Sequence, residues 1–207
     1  MQIRAVIFDF GNVLCFHPSP KRIEDAARVC GLTASEFVAA FWANRWHYDR
    51  GQDPMDYWRG VAALANKTFD DALIAELITH EVGFWSTFDD RVLNWSDQLR
   101  RAGIPTGILS NLPHPLAKGL RETPGFLDHF DHITFSCDVG FAKPEPEIYM
   151  HSFEGLQVRP EEGLFLDDRP ENVEGARKVG LQTVLFGSWE DFLQHDLPKY
   201  ALPHPPK

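Results

Sequence analysis

Ala5-Val6-Ile7-Phe8 is a continuous apolar run, and similar runs stand at Gly107-Ile108-Leu109, Gly163-Leu164-Phe165-Leu166 and Thr183-Val184-Leu185-Phe186. A weaker run stands at Ile133-Thr134-Phe135. A strand without alternation is one covered on both faces, as in a parallel sheet. Helical patterns separate these runs. A helix over about 89–102 ends in Arg100-Arg101-Ala102-Gly103, with basic residues in the last turn and Gly as the stop. Another, over about 171–179, ends at Gly180. Strands alternating with helices predict βαβ units and an α/β fold.

One stretch breaks the alternation. Between about Pro18 and Ser86 the pattern is helical only. Lys21 to Cys30 reads as one helix. Thr33-Ala34-Ser35-Glu36 has the spacing of a capping box and opens a second. Asp53-Pro54 opens a third, with a cap followed by Pro at the first position. The region around Phe69 to Thr79 is a fourth. Segments 1–16 and 87–207 therefore predict an α/β core, and 17–86 a helical insert. The proline-rich tail from Leu197 predicts a surface extension without regular structure.

The chain has 207 residues, 43% hydrophobic and 24% charged, as in ordinary globular proteins. No apolar stretch approaches the roughly 18 residues of a spanning helix, and the N-terminus lacks the features of a signal peptide. Cys15, Cys30 and Cys137 are too scattered for a disulfide framework or a four-ligand zinc site. A cytoplasmic protein is the expectation. Twenty Lys and Arg against thirty Asp and Glu give a net charge of −10, which argues against nucleic acid and anionic membranes as partners. An anionic substrate would need local positive charge to overcome that field.

In open parallel sheets, ligands sit beyond the carboxyl ends of the strands. The first strand leads into Phe8-Asp9-Phe10-Gly11-Asn12-Val13-Leu14 and the second into Leu109-Ser110-Asn111. Gly140-Phe141-Ala142-Lys143-Pro144-Glu145-Pro146-Glu147-Ile148-Tyr149 follows the third, and the fourth ends in Leu166-Asp167-Asp168-Arg169-Pro170. One carboxylate, one hydroxyl, one lysine and one carboxylate pair would converge on a single rim. A carboxylate nucleophile repels a phosphate dianion, so such a site needs cancelling charge. A magnesium ion, Lys143 and the Ser110 hydroxyl can supply charge and donors. The backbone N–H groups of Phe10, Gly11 and Asn111 are further candidate donors.

This ordered set resembles the haloacid dehalogenase-like (HAD) superfamily over nearly the whole chain. The closest likeness is to the subgroup with Asp-x-Gly-Asn-Val and Leu-Asp-Asp motifs, which includes α-D-glucose-1-phosphatase-like enzymes and resembles the phosphatase domain of epoxide hydrolases. The resemblance implies a Rossmann-like core whose five-stranded parallel sheet has the order 5-4-1-2-3, with the insert as a cap. It implies a Mg2+-dependent phosphatase acting on a small phosphorylated metabolite, most plausibly a sugar phosphate. Asp9 would be the nucleophile and form an aspartyl-phosphate, with Ser110 and Lys143 assisting. Asp168 and the Gly11 carbonyl would touch the metal beside Asp9, and Asp167 would hold a metal-bound water.

Gly11 departs from the family pattern. Many phosphatases of this kind carry a second Asp two residues after the nucleophile, as general acid and base. Three accounts fit: a substitute such as His17, Asp167 or a cap histidine; a substrate with a good leaving group, such as a sugar 1-phosphate; or a weak relative with a binding or regulatory role. A metal-free dehalogenase is a further alternative, but it has no evident use for Asp167-Asp168. In the insert, Phe41, Trp42, Trp46, His47, Tyr48, Tyr57 and Trp58 supply packing or sugar-stacking faces. Arg45, Trp46, His47, His17 and His114 are the candidates for substrate selectivity. The sequence leaves the oligomeric state open.

Overall fold

Strands of four or five residues are long enough to pair but too short to bury themselves, so each depends on neighbours and on cover from helices. The computed structural model describes residues 2–205. Its strands are β1 (Ala5–Phe8), β2 (Thr106–Ser110), β3 (His132–Phe135), β4 (Gly163–Asp167) and β5 (Gln182–Leu185). All pair in parallel in the order β3-β2-β1-β4-β5, the expected 5-4-1-2-3 order seen from the other edge.

Successive side chains of a strand point to opposite faces, and both faces are covered here. Val6 and Phe8 enter one apolar cluster, Ala5 and Ile7 the other. The smaller cluster is closed by Ile148, Tyr149 and Phe153, together with Ala176. The larger runs without a break from the sheet into the helices of the insert, through Phe37, Phe41, Trp58 and Phe84.

The insert contains α1 (Pro20–Val29), α2 (Ala34–Ala43), α3 (Arg45–Tyr48), α4 (Pro54–Leu64) and α5 (Asp71–Phe84). The Thr33 capping box forms with Glu36 in both directions. Asp53 caps α4 by accepting from the N–H groups of Met55 and Asp56. The sequence predicts one continuous helix through Trp42 and Trp46. The chain instead breaks at Asn44 (φ −122°, ψ 26°) and restarts as the short α3. Where the insert leaves and rejoins the sheet, its two connections pair: Cys15 bridges Phe88, and the Phe16 N–H donates to the Thr87 carbonyl at 2.9 Å.

The remaining helices are α6 (Asp90–Arg101), α7 (His114–Glu122), α8 (Ser136–Val139), α9 (Pro146–Gly155), α10 (Pro170–Lys178) and α11 (Trp189–Asp191). The tail differs from the sequence expectation. Leu197 and Leu202 are buried, and the Trp95 indole donates to the Pro203 carbonyl at 2.8 Å. Leu197–Lys199 forms a short 3₁₀ turn with Pro198 near its start, and the two buried leucines and the Pro203 carbonyl dock the segment. Pro206 and Lys207, at its end, lie outside the described residues. Among the described residues, no helix is long and apolar enough to cross a membrane.

Candidate active site

Register alone brings the acidic residues together. Phe8 stands opposite Leu166 of β4, so the next residues along, Asp9 and Asp167, are neighbours at the same sheet edge. The ladder continues one step further, with the Asp9 N–H donating to the Leu166 carbonyl at 2.9 Å. Ser110 ends β2 on the other side of β1.

Lys143 lies between the carboxylates. Its Nζ is 2.7 Å from Asp9 Oδ1 and 2.6 Å from Asp167 Oδ2, and the residue is only 2% exposed. Burial pulls its ammonium down, but Asp167 and Asp9 outweigh burial and hold it above the usual lysine range. Asn111 grips the same residue by its backbone: its Oδ1 accepts from the Lys143 N–H, and its Nδ2 donates to the Lys143 carbonyl.

Each acidic residue is held by a polar neighbour. Asp9 Oδ1 also accepts from the Phe10 N–H at 2.7 Å, so this expected phosphate donor is spent on the neighbouring Asp9 carboxylate. Asp167 is fully buried and accepts from Lys143, Asn172 Nδ2 and the Arg169 N–H. Asp168 accepts from Asn12 Nδ2 at 3.2 Å. Asn12 has φ +58°, a left-handed conformation that Asn tolerates better than most residues. The sequence displays Asn12 and Asn172 inside the motifs but gives them no role. Their amides aim at carboxylates up to 156 positions away.

Asp9, Asp167 and Asp168 each offer an oxygen within 4.8 Å of the others. Burial pushes the Asp9 carboxyl up to about 7, against Lys143 and with Asp167 and Asp168 adding. Asp168 is also raised, by burial and by Asp167. Three carboxylates against one buried ammonium leave an excess of negative charge, which low-dielectric surroundings make costly. A divalent cation would cancel it, and all-oxygen donors suit magnesium. The residues therefore fit that ion.

Above them opens a cavity of about 630 Å³. Its walls include Asp9, Gly11, Ser110, Lys143 and Asp168 from the sheet edge, with Trp42, Arg45, Trp46 and Asp49 from the insert. Of the selectivity candidates, Arg45, Trp46 and His17 reach the cavity. His47 is exposed on α3 and does not line it. His114 also stays outside, near Gly51 and grouped with Cys137 and Asp138. Phe41, Tyr48, Tyr57 and Trp58 are buried packing residues, whereas Trp42 and Trp46 are 48% and 43% exposed. Asp167 lies behind the cavity wall, its oxygens engaged, which removes it as a proton donor to a leaving group. A Cβ on Gly11 would stand 3.5 Å from Trp85 Cζ3, so the Trp85 indole borders the space that an acid at this position would enter. Burial also raises the thiols of Cys15, Cys30 and Cys137. They are therefore protonated packing groups.

Sequence comparison gives relatives of unequal span. The chain is 29% identical over 210 residues to the phosphatase MT3486 of Mycobacterium tuberculosis, covering 95% of this chain and 94% of that one. It is 28% identical to mouse acyl-CoA dehydrogenase family member 10, over 87% of this chain but only 18% of that protein. It is 46% identical over 57 residues to rat bifunctional epoxide hydrolase 2, covering 28% of this chain and 10% of the hydrolase. The chain thus spans a small part of two of these three relatives. A HAD family enzyme from Bacteroides thetaiotaomicron, solved with magnesium and inorganic phosphate, superposes with a TM-score of 0.73 at 21% identity, over 92% of this chain and 98% of that one. The profile of the haloacid dehalogenase-like hydrolases matches residues 3–180. With the sheet order, the charged strand ends and that match in agreement, the chain belongs to the haloacid dehalogenase-like hydrolase family.

Proposed function

We propose that this hydrolase is a magnesium-dependent phosphatase of a small phosphorylated metabolite, with a sugar phosphate as the best-fitting class. The observation that carries the reading is the buried Lys143 ammonium, clamped between Asp9 and Asp167 with Asp168 beside them, at the floor of the cavity. The mycobacterial relative's name as a phosphatase and the phosphate-bound Bacteroides enzyme support it.

Asp9 would attack phosphorus and release the alcohol, and water would then hydrolyse the aspartyl-phosphate. One hard displacement becomes two easier ones. Lys143 would neutralise the non-bridging oxygens, and the Ser110 hydroxyl would donate to one of them. Asn111 keeps Lys143 in place through its peptide group. Asp9, Asp168 and the Gly11 carbonyl would hold magnesium, with Asp167 behind them. The ion would supply the positive charge that lets a dianion approach a carboxylate.

Segment 17–86 acts in this reading as a cap over the sheet edge, hinged where Cys15 pairs with Phe88. The faces of Trp42 and Trp46 suit the apolar side of a sugar ring, and Arg169 adds a cation to the wall.

Hydrolysis of an aryl phosphate tests the proposal. Turnover is expected with magnesium, to fall to background after chelation, and to return when the ion is restored. Turnover that survives chelation refutes the metal requirement. The metal should also stabilise the fold in a pH-dependent way. Asp9 has a folded pKa raised to about 7, so its ionisation costs the fold stability as pH rises from the ordinary carboxylate range to about 7, and the full cost is present above that. Protons and magnesium compete for the same carboxylate. The rise in melting temperature on adding magnesium should therefore be larger at pH 8 than at pH 5. Equal rises would place the ion elsewhere.

A further inference from the structure

Gly11 leaves a departing alkoxide without the usual acid, and the cavity contains a carboxyl that the reaction above does not use. Asp49 caps the C-terminus of α3 and is 8% exposed. It lines the same cavity as Asp9. Its Oδ1 accepts from Arg45 Nε at 2.8 Å. Among the described residues no hydrogen bond engages Oδ2, and Oδ2 is not one of the buried polar atoms without a partner, so this oxygen of a cavity-lining residue is open to solvent.

The residue is also fixed relative to the sheet edge. Its backbone carbonyl accepts from the Ser136 hydroxyl, at the start of α8. The next residue, Arg50, pairs with Glu145 at 2.9 Å. A carboxyl held by Arg45, on a backbone tied to α8 and beside the Arg50–Glu145 pair, suits proton transfer, which needs position first and acidity second.

We propose that Asp49 is the general acid and base of the reaction, replacing the carboxyl that Gly11 lacks. The inference rests on the phosphatase reading. In the first step the bond from Asp9 to phosphorus forms and the ester P–O bond breaks. The leaving oxygen takes the electron pair and the Asp49 proton, giving an alcohol and an Asp49 carboxylate. In the second step that carboxylate removes a proton from water as its oxygen bonds phosphorus. The bond to Asp9 then breaks, releasing inorganic phosphate and regenerating both residues.

The acidity agrees with the geometry. Burial pushes Asp49 up to about 6, against Arg45 and with Glu81 adding. The groups around it are Arg45 on α3, Tyr57 on α4, Glu81 on α5, Cys137 on α8 and Arg169 after β4; Arg169 pulls the carboxyl down. The rival donors are less well placed. Asp167 is enclosed and His47 lies outside the cavity; His17 lines it near Asp168 but is exposed and held by no hydrogen bond on its ring among the described residues, so it is the remaining rival.

The test compares leaving groups in single turnovers of the full chain with magnesium. A nitrophenolate leaves without a proton, whereas a sugar alkoxide needs one. In Asp49→Asn, phosphoryl transfer from a sugar 6-phosphate is expected to fall about 10²–10⁴-fold. The nitrophenolate burst should stay within about tenfold of wild type. Equal losses on both substrates would assign Asp49 a purely structural role, and no loss on the sugar phosphate would overturn the proposal outright. The same split in His17→Ala but not in Asp49→Asn would transfer the role to His17. Should Asp49→Asn fail to fold, the wild type decides through a series of leaving groups. A shallow dependence of rate on leaving-group acidity supports an internal acid, and a steep one excludes it. A wild type inactive on every ester would instead sink the phosphatase reading itself.

Discussion

Asp9→Asn is expected to abolish aryl phosphate turnover, by at least ~10⁴-fold, while leaving the fold as stable as before or more so. The loss follows because an amide is no nucleophile toward phosphorus and the two-step route disappears. The stability claim follows from charge. Asp9 is buried beside Asp167 and Asp168, and its carboxyl is pushed up to about 7. A folded pKa raised above the unfolded value means that ionisation opposes folding. The opposition is absent below about pH 4 and complete above about pH 7. A neutral amide of the same shape removes it. Without magnesium, the variant's advantage in melting temperature should therefore grow from pH 5 to pH 8. An advantage that shrinks over that range would mean that the Asp9–Lys143 pair stabilises the folded state on balance. Proteins hold destabilised groups where chemistry needs them, and replacing such a group commonly exchanges activity for stability.

The inner strands were legible in the sequence because a strand covered on both faces is apolar throughout, as Ala5–Phe8 is; the edge strands β3 and β5, partly exposed and carrying Thr134 and Thr183, gave a weaker signal. The strand ends were legible because parallel pairing puts their carboxyl ends on one edge, so Asp9, Ser110 and Asp168 needed only the right order. Asn12, Asn111 and Asn172 were not legible in their roles. Amides are common in loops, and only three-dimensional placement shows that these three each hold one acidic or cationic group. The insert was harder still. Alternating aromatic and polar residues cannot say which face of a short helix meets the cavity, so Trp42 and Trp46 were indistinguishable from the buried Phe41 and Tyr48. Asp49 had a weak signal, the four-residue spacing from Arg45, which usually marks a solvated ion pair rather than a buried one.

Arg45→Met is expected to cost about 3–5 kcal/mol of unfolding free energy, a large share of what a domain of this size has. Arg45 is 8% exposed and pairs with Asp49 through Nε and with Glu81 through Nη1 at 2.5 Å. Glu81 has no exposure, and its other oxygen accepts from the Tyr48 hydroxyl at 2.9 Å. The guanidinium also lies against the rings of Phe41, Tyr48 and Tyr57, at 4.8, 5.0 and 5.8 Å. Methionine fills most of the volume and keeps the apolar contacts, but it leaves two buried carboxyl groups without a cation. Losing the partner of a buried charge costs far more than the pair contributes. The cost should therefore be partly recovered by adding Glu81→Gln, which keeps the acceptor for Tyr48 and removes the more deeply buried of the two stranded charges, leaving Asp49. Urea unfolding of the two single variants and the double variant measures the coupling. A double variant no more stable than Arg45→Met would show that the charge of Glu81 is not what Arg45 compensates, and that the loss comes from the stranded Asp49 or from ring packing around the guanidinium.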